Sequence, residues 1–261
     1  MAEVVVVENE LAAGALIAAS IRDLIAQKPD AVLGLATGST PLSVYRALAA
    51  SLVSDPLDVS RVRGFALDEY VGLPAGHPES YRAVITREVV EPLGLTAENI
   101  HVPNGDLASI ETAGDDYERA IVEAGGVDVQ ILGIGRTGHL GFNEPGSSFA
   151  STTRIKTLTE KTREDNARFF DSPDDVPMHC ITQGLGTILR AKHLVLLAFG
   201  DAKADAIAAA VEGAVTASQP GSAIQFHPQV TVVVDEAAAS KLTNLAYYKH
   251  AWAHKPAWQG L

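Results

Sequence analysis

Short aliphatic and β-branched runs alternate along this chain with longer alanine-rich runs, and that alternation narrows its fold more than any other feature. Residues 4–7, 31–36, 62–67, 100–102, 127–132, 194–199 and 230–234 read as strands. Between them lie helix candidates at about 9–27, 41–53, 80–92, 109–124, 160–170, 202–212 and 236–249. The strand runs are continuously apolar rather than alternating, which is the pattern of strands covered on both faces. A mostly parallel sheet between two helical layers follows, and the class is α/β. With 261 residues, 47% of them hydrophobic, the chain has apolar material for one full core. Gly/Pro clusters at 74–78, 141–148 and 213–228 are each followed by more of the same pattern, so they read as functional loops within a single domain, 1–261.

Charge narrows the partners. A formal net charge of -12 argues against nucleic acid and against anionic membranes, because both need a basic face to neutralise phosphate. An anionic small molecule would need local positive groups. The only cysteine, Cys180, has no partner for an internal disulfide, and Met1 is followed by an acidic, β-branched stretch rather than a secretory leader. The expectation is a cytoplasmic protein. No apolar run approaches the ~20 residues that span a bilayer.

In open α/β sheets, ligands collect beyond the carboxyl ends of the strands, so the residues just after each strand carry most of the functional information. After 31–36 comes Thr37-Gly38-Ser39-Thr40-Pro41, with a helix-compatible run behind it. Glycine allows the tight turn, proline tolerates the first helical position, and free N–H groups with two hydroxyls suit a phosphate. The lysine and spacing of a nucleotide P-loop are missing. After 62–67 comes Asp68-Glu69-Tyr70, which makes Asp68 a candidate general base at the same sheet edge.

The third turn, Gly133-Ile134-Gly135-Arg136-Thr137-Gly138-His139, fits a dinucleotide fingerprint by spacing and fails it by context. That fingerprint opens a helix, whereas Gly141, Asn143, Pro145 and Gly146 follow here. An irregular loop carrying His139 and, five residues on, Glu144 is suited instead to proton transfer. Arg154, Lys156, Arg163, Arg168 and Lys203 supply cations near element ends. Lys203, at a helix start, is electrostatically misplaced unless an anion lies close, so it is a candidate phosphate clamp, with Arg168 offering bidentate contact. The remaining histidines lack metal-ligand spacing, and no metal is expected.

Taken together, 37–41, 67–73, 77–81, 138–145 and 153–157 resemble the glucosamine-6-phosphate deaminase family, in the family's order and over nearly the whole chain. The resemblance implies a three-layer α/β/α sandwich with a modified Rossmann-like sheet, and conversion of glucosamine 6-phosphate and water to fructose 6-phosphate and ammonia. It implies that Gly38, Ser39, Thr40, Arg168 and Lys203 hold the substrate phosphate, and that Asp68 moves the C2 proton. His139 would open the sugar ring with Glu144 supporting it, Glu69 would assist by position, and about 161–181 would form a mobile lid. Neither cofactor nor metal is required, because the nitrogen and the electron sink both belong to the substrate.

Many members of that family carry aspartate two residues before the histidine, where this chain has Thr137. A threonine offers a hydrogen bond without a charge, so the histidine is expected to lean more on Glu144. Ser147, Arg154 and Lys156 match an allosteric site for N-acetylglucosamine 6-phosphate found at a subunit interface in some members, and family assemblies range from monomer to hexamer, which leaves a homo-oligomer open. Galactosamine 6-phosphate as substrate, a lactone-hydrolysing esterase on the same fold, and a non-catalytic sugar-phosphate sensor are the alternatives.

Overall fold

All seven expected strands form, and they build one parallel sheet. In the computed structural model, which describes residues 2–261, its order is β1 (Glu3–Val7), β10 (Val230–Asp235), β9 (His193–Ala198), β6 (Val129–Gly133), β2 (Val32–Leu35), β3 (Arg63–Ala66) and β5 (Ile100–His101). Every neighbouring pair runs parallel. Each residue of β2 and β9 is buried, which requires cover on both faces and accounts for the unbroken apolar runs in the sequence. Helices Glu10–Gln27 and Leu42–Ser54 pack against each other and supply part of that cover. No helix among the described residues is long and apolar enough to cross a membrane.

A second sheet was not expected. β4 (Asp68–Tyr70), β8 (His179–Thr182) and β7 (Arg154–Thr157) pair antiparallel, with Asp68 opposite Thr182 and Arg154 opposite Thr182 on the other side. Each has at most four residues, and β7 alternates half-buried with exposed positions, so none shows the aliphatic run that marks the main sheet.

Two helix candidates also change shape. The run at 80–92 becomes helix Tyr81–Ile85, a wide π turn at Thr86–Val90, and Glu91–Leu93. Pro92 has no N–H to give and crowds the preceding turn, which the widened turn relieves. The run at 236–249 does not start where its alanines suggest. Asp235 accepts from the N–H groups of Gly200 and Ala238, closing a turn, and Glu212 collects those of Thr243 and Asn244, so the helix begins only at Leu245 and runs to Ala253.

The small sheet is seated against the main body by a close backbone approach. A Cβ on Gly105 would lie 2.1 Å from the Tyr70 carbonyl oxygen, so no larger residue fits unless β4 moves. Gly105→Ala should cost about 1–3 kcal/mol, the usual range for overpacking. Equilibrium urea unfolding would show it as a lower midpoint at constant slope, and an unchanged midpoint would mean that β4 yields freely.

Candidate active site

The strand order locates a crevice. From β2 the chain proceeds outward to β3 and β5, while from β6 it proceeds the other way to β9 and β10, yet β2 and β6 are direct neighbours. Their connections therefore diverge and leave an opening beyond their carboxyl ends. The two glycine-rich turns emerge from these two strands and face each other across it.

The first turn is held from behind. Tyr45, one turn into the following helix, donates its hydroxyl to the Ala36 carbonyl at 2.9 Å and accepts from the Ala36 N–H at 3.0 Å, which pins the end of β2. Gly38 takes φ +90°, a conformation that favours glycine. Among the described residues, the N–H groups of Gly38, Ser39 and Thr40 donate to no protein acceptor. They stand free ahead of helix Leu42–Ser54, an arrangement that attracts an anion.

The second turn forms no helix, as its composition implied. Gly135 lies under the His139 ring, where a Cβ would come within 2.1 Å of the imidazole. Behind the ring, Thr137 fills the space between His139 and Glu144. Its hydroxyl is 2.9 Å from His139 Nδ1 and donates to Glu144 Oε2 at 3.1 Å, while Nδ1 and Oε2 are themselves 3.5 Å apart. Since the threonine proton goes to Glu144, Nδ1 must be the donor to Thr137, and the lone pair rests on Nε2. Thr159 and Thr162 donate to the other oxygen of Glu144. Burial opposes a charge on Glu144, but hydrogen bonds from His139, Thr162 and Thr137 outweigh it and hold its carboxyl at about 2.

Asp68 has the opposite environment. Its side chain is buried, and among the described residues no protein group donates to its carboxyl oxygens. Burial, with the nearby charge of Glu69, pushes it up to about 8. Gly141, at φ +56°, lies against it: a Cβ there would sit 3.2 Å from Asp68 Oδ2. Glu69 points elsewhere. It accepts from the backbone N–H groups of Tyr70, Tyr81 and Arg82 at 2.7–2.9 Å, fastening β4 to the start of helix Tyr81–Ile85.

A cavity of about 590 Å³ joins these parts, lined by Gly38, Ser39, Thr40, Asp68, His139, Arg168 and Lys203 among others. Thr137 and Glu144 stand behind His139. Lys203 donates to the Ile134 carbonyl at 2.6 Å, and the Arg168 guanidinium lies over the Phe169 ring. Helix Glu160–Asn166 and the 3-10 turn Ala167–Phe169, which carries Arg168, connect β7 to β8 and form one wall. The last residues of the expected 161–181 segment belong to β8. A recess of about 760 Å³ beyond Glu79 and Phe169 is larger and is lined in part by the 161–181 segment, but holds none of the expected catalytic or phosphate-binding residues.

Ser147, Arg154 and Lys156 do not line the cavity. The buried Ser147 hydroxyl donates to the Glu144 carbonyl at 2.7 Å, and Arg154 and Lys156 share one face of β7. Three wall residues escaped the sequence reading. Thr162 follows Thr159 by three residues, a capping spacing that hid its contact with Glu144; Asn166 donates to the Tyr70 hydroxyl at 3.0 Å; and Arg136, inside the second turn, also lines the cavity.

The Asp68 environment has a measurable cost. The unfolded chain ionises this carboxyl near its ordinary 3.8, whereas the folded chain resists until about pH 8, so the native state loses stability as pH rises between those values. Asp68→Asn should melt with the parent near pH 4 and above it at pH 8. Equal melting temperatures at pH 8 would mean that the carboxyl is not desolvated.

Known proteins place the chain in a family. The model for glucosamine-6-phosphate isomerases and 6-phosphogluconolactonases matches residues 8–233. A glucosamine-6-phosphate deaminase of Bifidobacterium longum is 60% identical, covering all of both chains, and that of Streptomyces coelicolor is 59% identical over 99% of this chain and all of the relative. A solved monomeric glucosamine-6-phosphate deaminase, 39% identical, superposes with a TM-score of 0.89 over 92% of this chain and 99% of its own. The 6-phosphogluconolactonase of Trypanosoma brucei shares the fold at 17% identity, with a TM-score of 0.75 over 93% of this chain and 99% of its own. On a match that spans most of its length and on relatives that match it end to end, this chain belongs to the family of glucosamine-6-phosphate isomerases and 6-phosphogluconolactonases.

Proposed function

We propose that the cavity is the active site of a deaminating isomerase, in which glucosamine 6-phosphate and water give fructose 6-phosphate and ammonia. The curated relatives at about 60% identity carry that activity in their names. The observation that supports it most in this chain is the meeting, in one cavity, of a desolvated carboxyl, an oriented histidine and a turn of free N–H groups.

The phosphate sits on the N–H groups of Gly38, Ser39 and Thr40, neutralised by Arg168 and Lys203. His139 Nε2 takes the proton of the C1 hydroxyl and returns one to the ring oxygen as the C1–O bond breaks, which exposes an aldehyde. Thr137 passes the influence of Glu144 to the imidazolium formed in between, so a neutral hydroxyl stands where many relatives have a charge. With a carbonyl beside C2, Asp68 removes the C2 proton as the substrate ammonium gives one of its own to O1, which forms an enolamine, and Asp68 then delivers its proton to C1, leaving a protonated imine at C2. Water adds to the imine and ammonia leaves. The wall helix Glu160–Asn166 acts as a lid whose Thr162 completes the Glu144 environment. A reducing cytosol suits a chain whose only thiol, Cys180, is buried.

Positioned proton transfer contributes about 10²–10⁴-fold, so the two acid–base groups should give separable losses. Ammonia release should be greater from glucosamine 6-phosphate than from galactosamine 6-phosphate, with fructose 6-phosphate as the co-product of the former, and acid release from 6-phosphogluconolactone should be negligible. Added N-acetylglucosamine 6-phosphate tests the effector role expected of Ser147, Arg154 and Lys156. Asp68→Asn should abolish solvent exchange of the C2 hydrogen, and retained exchange would overturn the base. Because Asp68 must be ionised to act, kcat/KM should fall with acidity below about pH 8. Thr137→Val should lower kcat about tenfold or more with little change in KM, and Thr137→Ser should restore it. A valine variant with parental kcat and pH profile would remove the relay from the mechanism.

A further inference from the structure

A dianionic substrate entering a chain of net charge -12 must be met by cations close to its phosphate. Four line the same cavity as the Gly38–Thr40 turn: Arg168, Lys203, Arg136 and Arg87, the last of which is held by Glu88 and the Pro78 carbonyl. The first two already have a role in the proposed chemistry. Arg136 has none, although it belongs to the same loop as His139 and lies two residues after Ile134, whose carbonyl holds the Lys203 ammonium at 2.6 Å. The two cations therefore stand at one place on the cavity wall.

What Arg136 touches instead of a ligand is a carboxylate. Its guanidinium pairs with Asp165 on the wall helix Glu160–Asn166, and both side chains are well exposed. Asp165 has a second partner in Lys161, at 3.3 Å, so losing Arg136 would not leave it without a cation. An exposed pair of this kind contributes little, typically under about 1 kcal/mol, whereas a guanidinium on a phosphate held inside a cavity makes two charge-assisted bonds in a fixed plane. A phosphate arriving on the turn can take Arg136 from Asp165 at small cost.

We propose that Arg136 is a third cation for the substrate phosphate and that Asp165 occupies it until the phosphate arrives. Asp165 is then a placeholder anion. It keeps the arginine directed along the cavity wall, and it competes with the ligand for the same guanidinium. The proposal rests on the cavity being a sugar-phosphate site, and it adds a group that selects for the phosphate to those already assigned.

Opposite signs separate this role from that of a plain structural pair. If Arg136–Asp165 only fastened the wall helix, removing either partner would loosen the same contact and both variants would change in one direction. If Asp165 competes with phosphate, the two variants must diverge. Three variants, Arg136→Met, Asp165→Asn and Lys203→Met, should be compared by KM for glucosamine 6-phosphate and by competitive inhibition with inorganic phosphate, with thermal melting as a check on folding. Arg136→Met should raise both constants about tenfold with kcat nearly unchanged, Arg136→Lys should fall between it and the parent, and Asp165→Asn should lower both constants severalfold. An Asp165→Asn variant whose constants rise with those of Arg136→Met, or an Arg136→Met variant with parental constants while Lys203→Met weakens phosphate, would overturn the proposal alone. Phosphate inhibition unchanged in Lys203→Met would overturn the phosphate reading of the cavity and the proposal with it.

Discussion

The parallel pairing of β2 with β6 is the constraint on which the site depends. Leu33 and Gly34 sit opposite Val129 and Gln130 in the middle of the sheet, and the chain leaves these strands in opposite directions. That divergence, and not either glycine motif by itself, opens the cavity and sets the two turns on its two sides. The pairing has its own steric condition. A Cβ on Gly34 would run into the Gln130 side chain at 2.1 Å, so the strand that carries the Thr37–Pro41 turn needs a glycine beside the strand that carries the histidine loop.

Two carboxyls in this cavity region are driven apart by their surroundings. Asp68, buried without donors, is raised to about 8, while Glu144, surrounded by His139, Thr162 and Thr137, is held at about 2. One is therefore ready to exchange a proton near neutrality and the other to remain charged. Such separation is how two chemically similar groups come to have different tasks in one site. The packing agrees: Gly141 brings no side chain against the Asp68 carboxyl, where a Cβ would lie 3.2 Å from Oδ2, whereas the Glu144 carboxylate is crowded with hydroxyls.

The wall formed by Glu160–Asn166 is tied to both ends of the chemistry. Thr162 reaches Glu144, Asn166 reaches the Tyr70 hydroxyl on the strand that bears Asp68, and Asp165 reaches Arg136 in the histidine loop. Any displacement of this helix changes the hydrogen bonding of Glu144 and the charge distribution around the cavity together. In the proposed chemistry, binding of the phosphate and orientation of the histidine are coupled through this one short helix. The small antiparallel sheet makes this possible, because β7 and β8 anchor the segment at both ends.

The amino-acid sequence alone determined the α/β class, all seven strands of the main sheet and the residues that follow them, because an unbroken apolar run and a glycine turn are local signals. It also distinguished the His139 loop from a dinucleotide fingerprint, since the residues after Gly138 are poor helix formers. The tertiary structure decided the rest. Strands β4, β7 and β8 exist through their pairing and not through their composition, and Glu69 became a backbone anchor because a helix start 12 residues later came to rest on it. The bridge from His139 through Thr137 to Glu144, the Thr162 contact and the Arg136–Asp165 pair join groups 2 to 29 residues apart. Charge and hydrogen bonding depend on distance in space, which a sequence does not state, whereas burial of an apolar strand depends on composition, which it does.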